Sequence, residues 1–490
     1  MPYPEGLSLD TIWDEIAHFL DSTKDLLSLA STCHTFKELI IPDHLHYRHL
    51  SVNICKPSVW EFLERRPRLG KSVRSIELSN KIREDFLPPA LSVLTKRTPA
   101  NISDKDIAAF KSAVSCIPLL KNLYWDCMGS GSPEQLIDIS HTLTTSAPCL
   151  EGLDINLSDL TIMMPDQQQM KRLSIWSLTS LKRVILRTSY PSPDGIRMIL
   201  SCPNIEDLYS EATSSMDTFP FYLMQQANWK NLRRLEFQEL SLQNEEERDI
   251  DISAIVTSFF VQHPNIECLR FYASSDTPVP TLPPSSLPKL RSFSSDLSVV
   301  TSLLSRTIMS RLVHLTCTVT EVDPSILPQM DKLESLRLFG NANGNGPELI
   351  DPFLSKAPSL KKISVDIRDI SMLHFGYTIK SPPELHNKDT QDQYIALFLK
   401  YPQSKLTHIC IISPMIIRAG TSDDDKIKSE VGVVCEKLSA LRALRYAHID
   451  GGYVELERDE NGMYYGCHSV SLNETGHSSS WGGFFFDLSD

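Results

Sequence analysis

HPNIECLRF, residues 263–271, sets Ile266, Leu269 and Phe271 in one frame: an apolar anchor, a second anchor three positions on, and a third apolar residue two further. The same frame returns in APCLEGLDI at 147–155, CPNIEDLY at 202–209 and APSLKKISV at 357–365. Variants without the proline are LTSLKRVIL, WKNLRRLEF, MDKLESLRL and LSALRALRY. Alternation after the second anchor, as in Leu153 and Ile155 or Leu235 and Phe237, is the period of a short strand with one buried face. The segments before the unit, DGIRMILS ahead of Cys202 and DISAIVTSFFVQ ahead of His263, repeat their apolar residues three and four apart, as a helix does. The proline falls just past each helix, where its missing N–H is harmless and the helix cannot continue.

Taking the first anchor of each unit gives Leu120, Leu150, Leu181, Ile205, Leu232, Ile266, Leu290, Leu312, Leu333, Leu360, Leu406 and Leu441. The intervals run from 21 (Leu312 to Leu333) to 46 (Leu360 to Leu406), and a leucine-rich repeat needs about 20 to 29. Longer intervals therefore carry inserted loops, Ser371 to Gln393 being the clearest. Strand, loop, helix, loop, strand predicts an α/β fold of leucine-rich repeat type, wound as a right-handed parallel solenoid. The segment Leu406–Ile417 reads as a buried strand and its exit turn.

Composition agrees with a folded chain of this kind. Of 490 residues, 41% are hydrophobic and 22% charged, enough apolar surface to build a core. A formal charge of −13 provides no whole-surface attraction for nucleic acid or anionic membrane. No stretch reaches the roughly 18 apolar residues of a membrane span, and the opening MPYPEGLSLD lacks the pattern of a leader. Eleven cysteines without a CxxC pair suggest reduced thiols and a cytoplasmic or nuclear setting.

Residues 1–50 differ in texture. Ile12, Ile16, Phe19 and Leu20 form one apolar stripe, and Leu26, Leu27, Leu29, Ala30 and Phe36 a second, with Asp21 or Ser22 placed to cap the second helix. So small a helical module leaves apolar surface for a neighbour or partner to cover. This segment resembles an F-box: Leu7 to Ile12 follows the family's opening pattern with Ser8 in place of proline, and Ile16, Phe19, Leu20, Asp21, Leu26, Leu27, Leu29, Cys33 and Phe36 fall on its later positions. The whole layout is similar to fungal F-box proteins with a degenerate leucine-rich array. That resemblance implies a substrate-recognition subunit of an SCF-type ubiquitin ligase, docked through a Skp adaptor to a cullin scaffold, with the repeats holding a client protein. It makes Leu7, Leu9, Ile12, Trp13 and Ile16 the adaptor-facing residues, Trp13 being the one expected to stand free. The alternative is a leucine-rich scaffold without ligase function, whose amino-terminal helices only cap the array.

The expected division is a helical module over 1–50, repeats over 51–446 and a carboxyl-terminal piece over 447–490. In that last piece YVELERDENGMYYGCHSVSL alternates on both sides of Asn461 and Gly462, a pair suited to a tight hairpin. Trp481, Phe484, Phe485 and Phe486 offer either a cap for the last repeat or a client contact. Side chains flanking each second anchor should line one concave wall: Tyr124, Asp126, Asp154, Asn156, Tyr209, Glu236, Phe339, Lys362, Asp366 and Arg445 among them. Within that wall Arg183, Arg187, Arg234, Arg270 and Arg337 suggest a basic stripe for an acidic or phosphorylated client, with Tyr272 a further client-binding candidate. No GxSxG, HExxH, GxxxxGK or GxGxxG motif occurs, so an enzyme and a cofactor are not expected. His44, His46 and His49 have ligand chemistry but lack a fourth partner, which favours a structural role over zinc, and Asp423–Asp425 lacks the glycine and closing glutamate of a calcium loop.

Overall fold

The computed structural model describes residues 9–79, 91, 102–126, 131–157, 167–188, 193–212, 219–240, 251–273, 279–319, 323–340, 346–366, 396–398, 400–401, 405–412, 441, 443–446, 453–458 and 464–470. The chain forms two compact units, Met1–Arg248 and Asp249–Asp490.

The first unit opens with three helices, α1 (Leu9–Phe19), α2 (Thr23–Ala30) and α3 (His34–Ile40), and a π-turn at Ile41–Leu45. Ser22 caps α2 by accepting from Asp25 N. Ala17, Leu26, Ala30 and Ile40 form the small core of this module, with Leu29, Phe36 and Leu39 against it. Seven parallel strands follow: β1 (His49–Val52), β2 (Ser75–Leu78), β3 (Asn122–Asp126), β4 (Gly152–Asn156), β5 (Arg183–Thr188), β6 (Asp207–Ala212) and β7 (Arg234–Leu240). Each pairs with its predecessor in sequence, and helices such as Pro133–Ser146 and Pro193–Ser201 connect them.

The second unit repeats the scheme. Its parallel strands are β8 (Cys268–Ala273), β9 (Ser292–Asp296), β10 (His314–Val319), β11 (Ser335–Gly340), β12 (Lys362–Asp366), β13 (His408–Ile412) and β14 (Ala443–Tyr446). The helix predicted before His263 spans Ile252–Gln262, with Asp251 accepting from Ala254 N at its start. β15 (Tyr453–Arg458) and β16 (Tyr464–Val470) then run antiparallel, as the alternation around Asn461 predicts. The segments 371–393 and 423–425 and the aromatic tail Trp481–Phe486 lie outside the described residues. Among the described residues, no helix is long and apolar enough to cross a membrane.

Each of the twelve anchors sits two residues before a strand, and none is more than 2% exposed. Burying a leucine this fully stabilises by about 1.5–3 kcal/mol relative to leaving it in water. Between anchor and strand lies a recurring junction. The N–H groups of Glu151 and Gly152 both donate to Lys121 O, those of Lys182 and Arg183 to Glu151 O, and those of Glu206 and Asp207 to Lys182 O. In the second unit the same fork links Val313 and His314 to Arg291 O, and Thr407 and His408 to Lys361 O. In these junctions each coil sets the register of the next through one shared carbonyl, with both polar groups of the turn satisfied.

The ladder begins two coils earlier than the leucine frame indicates. Tyr47 and Val73 occupy the anchor position for β1 and β2, and both are buried. A tyrosine and a valine break the Leu/Ile pattern without changing the job of the site.

Candidate functional site

Burial alternates along the strands, so that every second side chain leaves the core. In the first unit register aligns these outward residues in rows: Asn122, Gly152, Arg183, Asp207 and Arg234; then Tyr124, Asp154, Ile185, Tyr209 and Glu236; then Asp126, Asn156 and Arg187. The wall expected from the sequence exists here, and in this unit its arginines have neighbouring partners. Arg187 is ion-paired with Asp154 and lies 5.4 Å from the Tyr209 ring. Arg234 lies 3.8 Å from Asp207, and Arg183 donates to Asn122 Oδ1 by reaching over Gly152. Parallel register sets acids beside these arginines, and neighbouring strands at about 4.8 Å let opposite charges meet. Burial pushes the Asp154 carboxyl up, with Glu77 and Asp126 adding to the effect and Arg187 opposing it.

In the second unit Arg270 is exposed and Tyr272 Oη lies 2.9 Å from Ser294 Oγ. Arg337 stacks over Phe339 at 4.6 Å, in register with Thr316 and Ser364. The side chains of Asp366 and Arg445 lie outside the described residues. The six predicted client residues thus divide into three on the first unit and three on the second.

The amino-terminal module is built the opposite way from its stripe. The inward side of α1 holds Asp14, Ala17 and His18, all buried, while Ile16 is 39% and Phe19 78% exposed. Leu27 on α2 is 52% exposed. Of the predicted adaptor residues, Leu7 and the side chain of Leu9 lie outside the described residues, and Ile12 is half-buried. Trp13 does not stand free: it is half-buried and packs edge-on against Phe36, ring centroids 4.8 Å apart. Phe19 and Leu27 take the exposed role instead.

Polar groups attach this module to the first coils. Asp14 accepts two bonds from Arg68, at 2.7 and 3.0 Å, and lies 2.9 Å from His44 Nε2. Arginines reach the last carbonyls of α1: Ala17 O accepts from Leu20 N at 3.3 Å and also from Arg48 at 3.4 Å, and His18 O accepts from Arg74. Asp21, placed as a possible cap, bridges Arg74 and Lys121 instead. Burial and the neighbouring His44 pull His18 down to about 4, and burial also lowers His44. The histidines that meet are therefore His18 and His44, whereas His46 and His49 are exposed. The signal for this cluster was a polar pair, Asp14 and His18, one turn apart inside an otherwise amphipathic helix.

No known protein-family model matches the chain, and no curated protein matches it significantly. Among solved structures it is similar to a chain of the yeast Rad7 and Elc1 complex, at 12% identity and a TM-score of 0.39, over 76% of this chain and 93% of that one. It is also similar to a chain of the TLR13–ssRNA13 complex, at 14% identity and a TM-score of 0.29, over 79% of this chain and 57% of that one. At these scores neither likeness extends to a site or a partner.

Proposed function

We propose that this chain is the substrate-recognition subunit of an SCF-type ubiquitin ligase, an F-box protein of fungal type that binds a Skp adaptor by its amino-terminal helices and a client protein on its repeats. The observation that carries this reading is the outward apolar side of α1. Ile16 and Phe19, three residues apart, share one helix face, and exposed apolar side chains in so small a module mark a partner surface. Such a receptor contributes proximity, holding client and ubiquitin-charged enzyme together at high effective concentration, while the chemistry belongs to the partners. The arginine bridges from Arg48 and Arg74 would hold module and first coils as one body. A cytoplasmic or nuclear location goes with this role.

The test is co-purification of the intact chain with a Skp adaptor and cullin. The expected result is a complex that Ile16→Glu and Phe19→Glu each weaken at least tenfold. No adaptor binding at micromolar protein would remove the ligase reading. A second reading, a leucine-rich scaffold whose helices only cap the array, is favoured by the same arginine bridges. Client capture splits off as a separate question: Arg234→Glu and Arg270→Glu should abolish it if these arginines bind an acidic or phosphorylated segment. Since Arg234 neighbours Asp207, unchanged capture by Arg270→Glu alone would shift the client surface to the first unit.

A further inference from the structure

Three buried donors converge where α1 meets the π-turn. Asp14 and His18 lie one turn apart on the inward side of α1, and the wide turn at Ile41–Leu45 swings His44 against both. The ligating atoms of the three side chains all lie within 4.8 Å of one another. His44 Nε2 is 2.9 Å from Asp14 Oδ1 and His18 Nε2 is 3.7 Å from Asp14 Oδ2. These spacings bracket the roughly 3.3 Å edge of a tetrahedron whose ligands stand about 2.0–2.1 Å from zinc.

The far side of both rings faces one hydroxyl. Ser72 Oγ is 3.4 Å from His18 Nδ1 and 3.3 Å from His44 Nδ1, the outer oxygen that metal-bound imidazoles usually have behind them. Ser72 has a single hydroxyl proton. If it goes to His44 Nδ1, His44 keeps its own proton on Nε2 for Asp14, and His18 must give Nδ1–H to Ser72. His18 Nε2 is then a bare lone pair beside a carboxylate oxygen. If the proton goes to His18 instead, the bare lone pair is His44 Nε2, still closer to Asp14. A third arrangement, with both Nδ1–H groups donating to Ser72, turns both lone pairs toward the carboxylate. In the structure His18 Nε2 is buried without a hydrogen-bond partner, and in each of these three arrangements at least one imidazole lone pair faces the carboxylate.

Charges of both signs surround the three donors: Arg48, Arg68, Lys71, Arg74 and Lys121 on one side, Glu15, Asp21 and Asp43 on the other. Arg68, half-exposed at the rim, holds the outer lone pairs of Asp14.

We propose that Asp14, His18 and His44 bind one zinc-class divalent ion that clasps α1 to the turn at residues 41–45, with water completing the shell. Two imidazoles and one carboxylate favour zinc or cobalt over magnesium or calcium. This inference is independent of the ligase reading.

The test uses the full-length chain, stripped with chelator and titrated with zinc chloride, with metal counted after desalting and cobalt chloride as a spectroscopic probe. The expected result is one zinc retained per chain at micromolar affinity or better, a higher Tm, and the intense visible absorption of four-coordinate cobalt. His18→Ala should lower retention at least tenfold, and Ser72→Ala, which keeps all three donors, should weaken it about tenfold. His34→Ala, at an exposed histidine 3.5 Å from Glu38, should leave it unchanged. Zinc lost from the wild-type chain on desalting, zinc retained undiminished by His18→Ala, or a weak octahedral cobalt spectrum would each overturn the assignment.

Discussion

Arg68 grips Asp14 with two parallel hydrogen bonds, Nη2 to Oδ1 at 2.7 Å and Nε to Oδ2 at 3.0 Å, and so ties the helix before the repeats to the coil that starts them. Asp14 is buried while Arg68 is half-exposed, so the two ends of the bridge are unequal. Asp14→Ala strands His44 and should cost about 3 kcal/mol, the usual result of breaking a buried pair. Arg68→Ala leaves Asp14 with His44 and should cost roughly 1 kcal/mol. Urea unfolding of both variants measures the difference, and equal losses would count against this asymmetry.

Acid should loosen the same region. His18 is held at about 4 in the fold, below its ordinary 6.5, and His44 is also lowered. The unfolded chain therefore takes up protons first as pH falls. Their contribution is complete above about pH 6.5 and is lost as pH falls through the window toward 4. For His18 alone the full window is worth roughly 3 kcal/mol. Unfolding midpoints with chelator present at pH 7.0, 5.5 and 4.5, chosen as rough markers across that window, should decline in step, and His18→Gln should flatten the decline. A flat wild-type profile would refute the assignment of His18 as neutral and buried.

Gly70 admits no side chain. A Cβ there would stand 2.3 Å from the carbonyl oxygen of Cys116, which is backbone and cannot swing aside. Gly70→Ala should destabilise by about 1–3 kcal/mol, as overpacking does. Thermal unfolding beside a surface Gly→Ala control would detect it.

At Gly152 the crowding has a different outcome. A Cβ would meet Asn122 Oδ1 at 2.5 Å and Arg183 Nη2 at 3.2 Å, both ends of flexible side chains. Gly152→Ala should therefore leave stability within roughly 0.5 kcal/mol while pushing Arg183 off Asn122. A client that reads Arg183 in its bridged position would bind the variant less tightly, measured by titration against the captured protein.

The sequence made the repeats plain because the anchors and alternating strand residues answer to burial alone. Leu232 is legible as an anchor for that reason, whereas Tyr47 and Val73 do the same work with residues the leucine frame passes over. α1 misled for the converse reason: its apolar stripe points out at Ile16 and Phe19 and its polar pair points in. Burying Asp14 and His18 is tolerable only because Arg68, His44 and Ser72 arrive from positions 30 to 54 residues away, which no local pattern encodes. The acids beside Arg187 and Arg234 were equally hidden, since they sit on neighbouring strands.

The shared carbonyl between coils has an evolutionary corollary. β12 and β13 pair in register even though their anchors, Leu360 and Leu406, stand 46 positions apart, so lineages can lengthen a crossover freely. A single residue added between an anchor and its strand would instead displace the fork at that junction. Natural indels and deliberate grafts alike should cluster between coils, leaving those two-residue junctions constant in length.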